Sequence, residues 1–152
     1  MQIKQNERLN VGYCRVSAKH QQNDLVRQKE AMELYLAKQG VEYEILEDIG
    51  SGINYRKNGL KRVLELVSQN RVATLYILHK DRLVRFGFEL IEEICKLHNT
   101  KIQIINQSED KTDEQEMIED IMNIIHVFSC QMNGKRSHIN KKIIENLIKS
   151  TK

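Results

Sequence analysis

Apolar and polar positions along this chain change period several times, and each change marks an element. Asn10 to Arg15 reads as a short strand. Over Asp24 to Gly40 the residues Leu25, Ala31, Leu34, Tyr35 and Ala37 recur near one face of a helix that Gly40 ends. Tyr43 to Ile49 is a second strand. A polar loop, Gly50 to Gly59, then leads into a helix from about Leu60 to Ser68, with Leu60, Val63, Leu64 and Val67 at helical spacing. Val72 to Leu78 is so continuously apolar that it predicts a central parallel strand covered on both faces. Phe88 to His98 is another amphipathic helix and Lys101 to Asn106 another strand. Strands and helices in strict alternation predict an α/β fold, a parallel sheet in a three-layer sandwich between helices.

The last third breaks this rhythm. From about Thr112 onward the apolar residues Met117, Ile118, Ile121, Met122, Ile125, Phe128 and Met132 recur as on one long helix. Its beginning carries Glu109, Asp110, Asp113, Glu114, Glu116, Glu119 and Asp120, and its far end Lys135, Arg136, Lys141, Lys142, Lys149 and Lys152. Acids first and bases last suit the helix dipole. One reading is a solvated, well-capped helix; the sharper one pairs the apolar stripe with a second subunit and lays Lys135, Arg136, Lys141 and Lys142 on DNA phosphates. Gly134 costs about 1 kcal/mol inside a helix, so a bend or a helix end is expected there.

At 152 residues, with 40% hydrophobic and 30% charged residues and no proline, the chain is one domain's worth, with a core of its own. No stretch approaches the roughly 20 apolar residues of a membrane span, and the first nine residues hold no signal-peptide core, which points to the cytoplasm. Cys14, Cys95 and Cys130 are odd in number and share no metal-type spacing, so they read as small buried hydrophobes rather than as a disulfide framework or zinc site. The net charge of +3 proves no nucleic-acid partner by itself.

Candidate chemistry gathers after two apolar runs. Gly12-Tyr13-Cys14-Arg15-Val16-Ser17 ends the first strand, and Lys80-Asp81-Arg82-Leu83-Val84-Arg85 follows the third, so both segments are expected at the same edge of one sheet. A serine hydroxyl is a poor nucleophile without help. The five histidines, His20, His79, His98, His126 and His138, form no Ser-His-acid pattern, which leaves arginine. Arg15 lies two residues from Ser17 and shares its face of an extended segment, and Arg82 and Arg85, three apart, are expected on one side of a helical turn. Guanidinium groups match a phosphate, each donating bidentate charge-assisted bonds of about 1.5–3 kcal/mol. The pattern points to a phosphodiester substrate.

These residues resemble the serine recombinases, the family of resolvases and DNA invertases. Tyr13-Cys14-Arg15-Val16-Ser17 resembles the family's Y-A-R-V-S nucleophile motif and Asp81-Arg82-Leu83-Val84-Arg85 its D-R-L-x-R motif. Gly50-Ser51-Gly52, followed by Arg56-Lys57-Asn58-Gly59-Leu60, resembles its A-S-G loop with a downstream R-x-G-L. Gln21 falls where the family carries a functional glutamine. The wording Arg85-Phe86-Gly87-Phe88-Glu89-Leu90-Ile91 looks closest to the insertion-sequence transposase branch. The resemblance implies that Ser17 attacks a DNA phosphate, leaving a 5′-phosphoserine link and a free 3′-hydroxyl. It implies that Arg15, Arg82 and Arg85 hold the phosphate, that Asp81 orients an arginine or passes a proton, and that Gln21, Ser51 and Arg56 support them. It implies no metal or nucleotide cofactor, and dimers that pair into tetramers through the long helix.

The expected division is a leader at 1–9, a catalytic core at 10–111 and an assembly helix at 112–152. Cys14 stands where alanine is commoner and Val84 where resolvases often carry glycine; neither removes a reactive group. Resolvases carry a DNA-binding domain after the long helix and the transposase branch before the catalytic domain. With nine residues before the first strand and nothing foldable after the long helix, the expectation is either a catalytic fragment of a longer protein or a shortened relative that depends on a partner, on a separate DNA-binding domain or on its basic end. A non-catalytic, DNA-associated assembly protein is the first rival reading, although Ser17, Arg15, Arg82 and Arg85 are all intact. A flavodoxin-like phosphate-binding enzyme ranks last, because Ser17-Ala18-Lys19-His20 has no glycine.

Overall fold

A computed structural model describes residues 8–105 and 112–150. The chain divides into two compact units, residues 1–113 and 114–152. In the first, β1 (Leu9–Val16), β2 (Tyr43–Ile49), β3 (Val72–Ile77) and β4 (Lys101–Ile104) form one parallel sheet in the order β2-β1-β3-β4. The helices are α1 (Gln22–Lys38), α2 (Asn58–Ser68), the single turn α3 (Lys80–Leu83) and α4 (Phe88–Leu97). The expected α/β alternation is borne out. Asn106, the expected end of β4, and Glu109 and Asp110 lie outside the described residues, as do Lys152 and the first seven residues of the expected leader.

Alternation along β1 builds the two sides of the sheet. Val11 and Tyr13 join Leu60, Val63, Leu66, Val67, Phe88 and Ile91 in one core; Cys14 and Val16 join Leu25, Met32, Leu36 and Tyr76 in the other. On α1 the face differs from the expectation. Leu25, Met32 and Leu36 are buried, at spacings of seven and four, while Leu34 is 66% exposed and Ala31 and Ala37 face solvent. The greater hydropathy of leucine at 34 points to the wrong side; the close-packed face belongs to residues whose spacing returns to the same azimuth. On α2, Leu60, Val63 and Val67 are buried as expected, Leu64 only partly, and Leu66, which the expected face omits, is buried as well.

A buried carboxylate sets where α2 begins. Asp48, near the end of β2, accepts hydrogen bonds from the Gly59 and Leu60 backbone N–H groups, both at 2.8 Å, and from the Tyr13 hydroxyl at 2.6 Å. It thus satisfies donors that a helix start leaves open and places negative charge at the positive end of the dipole. A side chain at Gly59 is excluded, since its Cβ would lie 2.7 Å from the Glu47 carbonyl oxygen and 2.8 Å from Asp48 Oδ2.

The second unit is α5 (Thr112–Ser150), which continues unbroken through Gly134. The expected helix end there is corrected: glycine weakens a helix locally, but no proline follows to stop it. Met117, Ile118, Ile121, Met122, Ile125, Phe128 and Met132 are all exposed in the single chain. Glu116 and Asp120 are buried, so the start of α5 is not simply a solvated face. Cys14 and Cys95 are buried as expected, whereas Cys130 is exposed.

Replacing Asp48 by alanine removes the acceptor of three donors at once. The expected loss is about 3 kcal/mol of unfolding free energy, read as a lower urea midpoint. A midpoint unchanged from wild type would contradict this role.

Candidate active site

In the order β2-β1-β3-β4 the chain runs from β1 to β2 on one side and then crosses back to β3 on the other, so the strand order reverses about β1 and a crevice opens at the carboxyl ends of the strands. Ser17, Gly50 and the Lys80–Arg85 segment meet there, as the two apolar runs predicted. Gly50 N–H donates to the Val16 carbonyl at 2.8 Å, and Tyr13 pairs with Ile77 across β1 and β3.

Ser17 is half-buried just beyond β1. Its hydroxyl donates to Gln21 Oε1 at 2.6 Å, and the same oxygen accepts the Ser17 and Ala18 backbone N–H groups at 3.0 and 3.1 Å. Those two N–H groups fix which end of the amide faces the serine, because its NH2 end could not accept them. The turn Lys19–Gln21 brings Gln21 back over the serine.

Arg15 is fully buried. Its guanidinium donates to the backbone carbonyls of Gly50 at 3.1 Å, of Arg82 at 3.3 Å and of Asp81. Arg82 answers with a bond from Nη1 to the Arg15 carbonyl at 3.3 Å. The expectation that Arg82 and Arg85 share one side of a helical turn is corrected. α3 stops at Leu83 and Val84 is extended, which turns Arg85 inward; its side chain is 1% exposed and pairs with Asp81 Oδ2 at 2.7 Å. Arg82 is only half-buried. The site therefore holds one partly exposed guanidinium and two that are enclosed.

The loop after β2 is clamped by a residue the motif reading passed over. Arg56 is exposed, and its backbone N–H donates to Asn54 Oδ1 at 3.0 Å. Lys57 is buried, its ammonium donating to the carbonyls of Ser51 and Asn54, both at 2.6 Å. Counted back from Gly59-Leu60, the R-x-G-L spacing falls on Lys57 rather than Arg56, and that spacing was the available signal. Ser51 Oγ accepts the Ile53 N–H at 3.3 Å, inside the same loop. The Gly52 carbonyl accepts the Arg85 N–H at 2.9 Å, and a Cβ at Gly52 would stand 3.1 Å from Arg85 Cβ and 3.3 Å from Arg15 Nη2. Asp48 and Tyr13, which seat α2, were also missed, having no motif of their own.

Lys135, Arg136, Lys141 and Lys142 lie along α5, with Lys135, Lys141 and Lys142 exposed; the Arg136 side chain is outside the described residues. Among the described residues no three His, Cys, Asp or Glu side chains gather as a metal would require, and no helix is long and apolar enough to cross a membrane.

Residues 10–143 match the family model of the resolvase N-terminal domain. The chain belongs to the resolvase family. A protein of Acanthamoeba polyphaga mimivirus named as a resolvase is 44% identical over 132 residues, 86% of this chain and 67% of that protein. Another from the same virus is 35% identical over 139 residues, 91% of this chain and 71% of its own. Among solved structures, the C-terminal catalytic domain of ISC1926 TnpA, an IS607-like serine recombinase, superposes with a TM-score of 0.76 at 37% identity, covering 92% of this chain and 96% of that one. A serine recombinase from Sulfolobus solfataricus gives 0.75 at 36% identity, over 85% of this chain and 88% of its own. The resemblance to the serine recombinases, and to their insertion-sequence branch, is thereby borne out, and so is the resolvase-like fold.

Two predictions follow from the site of this resolvase-family chain. Lys57→Met loses two charged hydrogen bonds and should cost about 3 kcal/mol, whereas Arg56→Ala should stay within about 0.5 kcal/mol of wild type; paired urea titrations decide, and equal effects would return the clamp to Arg56. Burial, chiefly, pushes the Cys14 thiol from 9 up to about 12 and the Cys95 thiol to about 11. The folded state keeps these protons where the unfolded chain loses them, so their stabilisation is whole below pH 9 and is lost as pH rises toward 12. Urea midpoints should fall above pH 9, and Cys14→Ala should lessen the slope by up to about 1.4 kcal/mol per pH unit.

Proposed function

We propose that this chain is the catalytic part of a DNA recombinase or transposase that cuts and rejoins strands through a covalent Ser17 intermediate. The observation that carries the reading is the placement of a serine hydroxyl, held by Gln21, at the sheet edge where Arg15, Arg82, Arg85 and Asp81 converge. Ser17 Oγ attacks phosphorus, the bond from phosphorus to the 3′ oxygen breaks, the serine loses its proton and the leaving 3′ oxygen gains one. The phosphoserine link keeps the energy of the broken ester, so the reverse attack by a 3′-hydroxyl reseals DNA without a cofactor.

In this reading Arg82, the partly exposed guanidinium, meets the phosphate first. Arg85 and Asp81 stand behind it as a pair, and Arg15 holds the segments that carry them while supporting the charge of the transition state. Several charge-assisted donors aimed at that state supply powers of ten in rate. Gln21 positions the nucleophile, and Ser51 and Arg56 belong to the loop alongside. The core is residues 10–111, and the helix, residues 112–152, joins two copies through its apolar stripe, dimers pairing into tetramers for strand exchange. Lys135, Arg136, Lys141 and Lys142 lie on DNA.

The test is a covalent trap: a labelled, nicked duplex carrying candidate element-end DNA is incubated with the protein, denatured and examined for label on protein. Wild type should carry the label, and Ser17→Ala should lose it while keeping the same urea midpoint and self-association. Label on Ser17→Ala would refute the nucleophile. A folded wild-type protein that binds DNA and never acquires label, even with a DNA-binding domain grafted on, would be a non-catalytic assembly protein.

A further inference from the structure

Two aromatic rings stand half-exposed at the rim of this site, and the chemistry assigned to Ser17 uses neither. Tyr55 and Phe86 are each 50% exposed, whereas Tyr13, Tyr76 and Phe88 are buried in the cores. Tyr55 belongs to the loop clamped by Lys57, and Phe86 directly follows Arg85. The Tyr55 hydroxyl donates to the Phe86 carbonyl oxygen at 3.0 Å. The same two segments are joined again where the Arg85 N–H reaches the Gly52 carbonyl at 2.9 Å. The rings are thus carried on backbone that is tied together twice, beside the enclosed Arg85–Asp81 pair.

A single exposed apolar residue is ordinary. Two rings on mutually fixed loops are different, because their exposure is maintained by hydrogen bonds rather than left to chance. The Tyr55 hydroxyl is already engaged with a backbone carbonyl, so what the residue offers outward is its ring. Cations adjoin: Arg56 follows Tyr55 and is exposed, and the half-buried Arg82 lies in the segment leading to Phe86. Positive charge that tracks a phosphate backbone, with flat aromatic faces next to it, is the combination by which proteins hold bases taken out of the stack.

We propose that Tyr55 and Phe86 form a stacking platform for an unstacked DNA base at the step being cut. The proposal rests on the recombinase reading, since it takes the ligand to be DNA. It adds what that reading lacks, a means of holding the strand beside the scissile phosphate once the duplex is opened. Every base has a flat π face, so the platform positions the strand without choosing the sequence.

The test uses Ser17→Ala protein, so that cleavage plays no part, and two short duplexes of one sequence. One is fully paired and the other carries a single unpaired 2-aminopurine. The protein should bind the second about 5- to 150-fold more tightly, the range that stacking on one aromatic residue supplies, and binding should quench the 2-aminopurine fluorescence. Adding Phe86→Ala or Tyr55→Ala should bring the ratio of the two affinities toward one and abolish the quench, and Phe86→Trp should restore both. Urea midpoints confirm that each variant is folded. A ratio near one in the parent, or an undiminished ratio in Phe86→Ala, overturns the platform. A variant that alters sedimentation of the free protein but not the ratio overturns it too, and assigns the rings to a contact between copies. The two failures are separable: a folded wild type that binds DNA and never acquires label, even with a DNA-binding domain grafted on, refutes the cleavage reading, whereas the base preference is measured without cleavage.

Discussion

A guanidinium with no exposed surface holds the carboxyl edge of this sheet together. Arg15 stands near the end of β1 and donates to carbonyl oxygens at Gly50, Asp81 and Arg82, which belong to the segments leaving β2 and β3. Parallel strands fix their own spacing through ladder hydrogen bonds, but the loops beyond their ends have no such ladder. A planar group with five donors in a rigid fork can span several loops at once. A lysine, with one compact ammonium on a flexible stem, reaches fewer acceptors and fixes their mutual orientation less well. Burial removes the competition of water for those carbonyls, and each charge-assisted bond is then worth about 1.5–3 kcal/mol. The charge that suits a phosphate also organises the backbone around it.

The loop after β2 depends on the same arrangement from its other end. Asp48 seats the start of α2, Lys57 just before that helix folds the loop back on itself through Ser51 and Asn54, and Gly52 then meets Arg85 through backbone alone. Each step needs the previous one. A misplaced α2 would move Lys57, and a slack loop would leave the Arg85 N–H without the Gly52 carbonyl. Tyr13 joins this series to β1, two residues from Arg15, so a disturbance at the helix start reaches the arginines through the Asp48–Tyr13 hydrogen bond and two residues of strand.

Much of the fold was legible because parallel strands buried on both faces leave continuous apolar runs, as at Val72–Ile77, and because the alternation with helices admits few topologies. Elements whose burial is decided by azimuth were less legible. On α1 the hydropathy of Leu34 outweighs that of Met32 in any composition-based reading, yet only the latter lies on the face turned to the sheet. The candidate site was legible in the residues brought together there and opaque in their supports. Ser17, Arg15, Arg82 and Arg85 announce themselves through spacing and charge. Lys57 does not, because a lysine in a polar loop is ordinarily solvated, and its one signal was the count back from Gly59-Leu60. Arg82 and Arg85 have the spacing of a helical pair, but a helix one turn long cannot carry that relation past its own end, and the extended Val84 breaks it.

The partner chosen for the nucleophile constrains the proposed chemistry further. Gln21 accepts the Ser17 proton in a hydrogen bond but cannot take it, since a neutral amide oxygen is far too weak a base. On the proposed reading the hydroxyl is therefore aligned but not activated before DNA arrives. Activation has to come with the substrate, either from a phosphate oxygen or from a carboxylate brought into reach, while the arginines stabilise the charge that develops. A histidine in place of the amide would activate the serine toward any ester that entered the crevice, including water-soluble phosphates. An enzyme that holds broken DNA on a serine benefits from the opposite property. With a positioning amide, attack is directed to a phosphodiester that also fills the guanidinium cluster, and Gln21 itself offers water no general base with which to cleave the covalent intermediate.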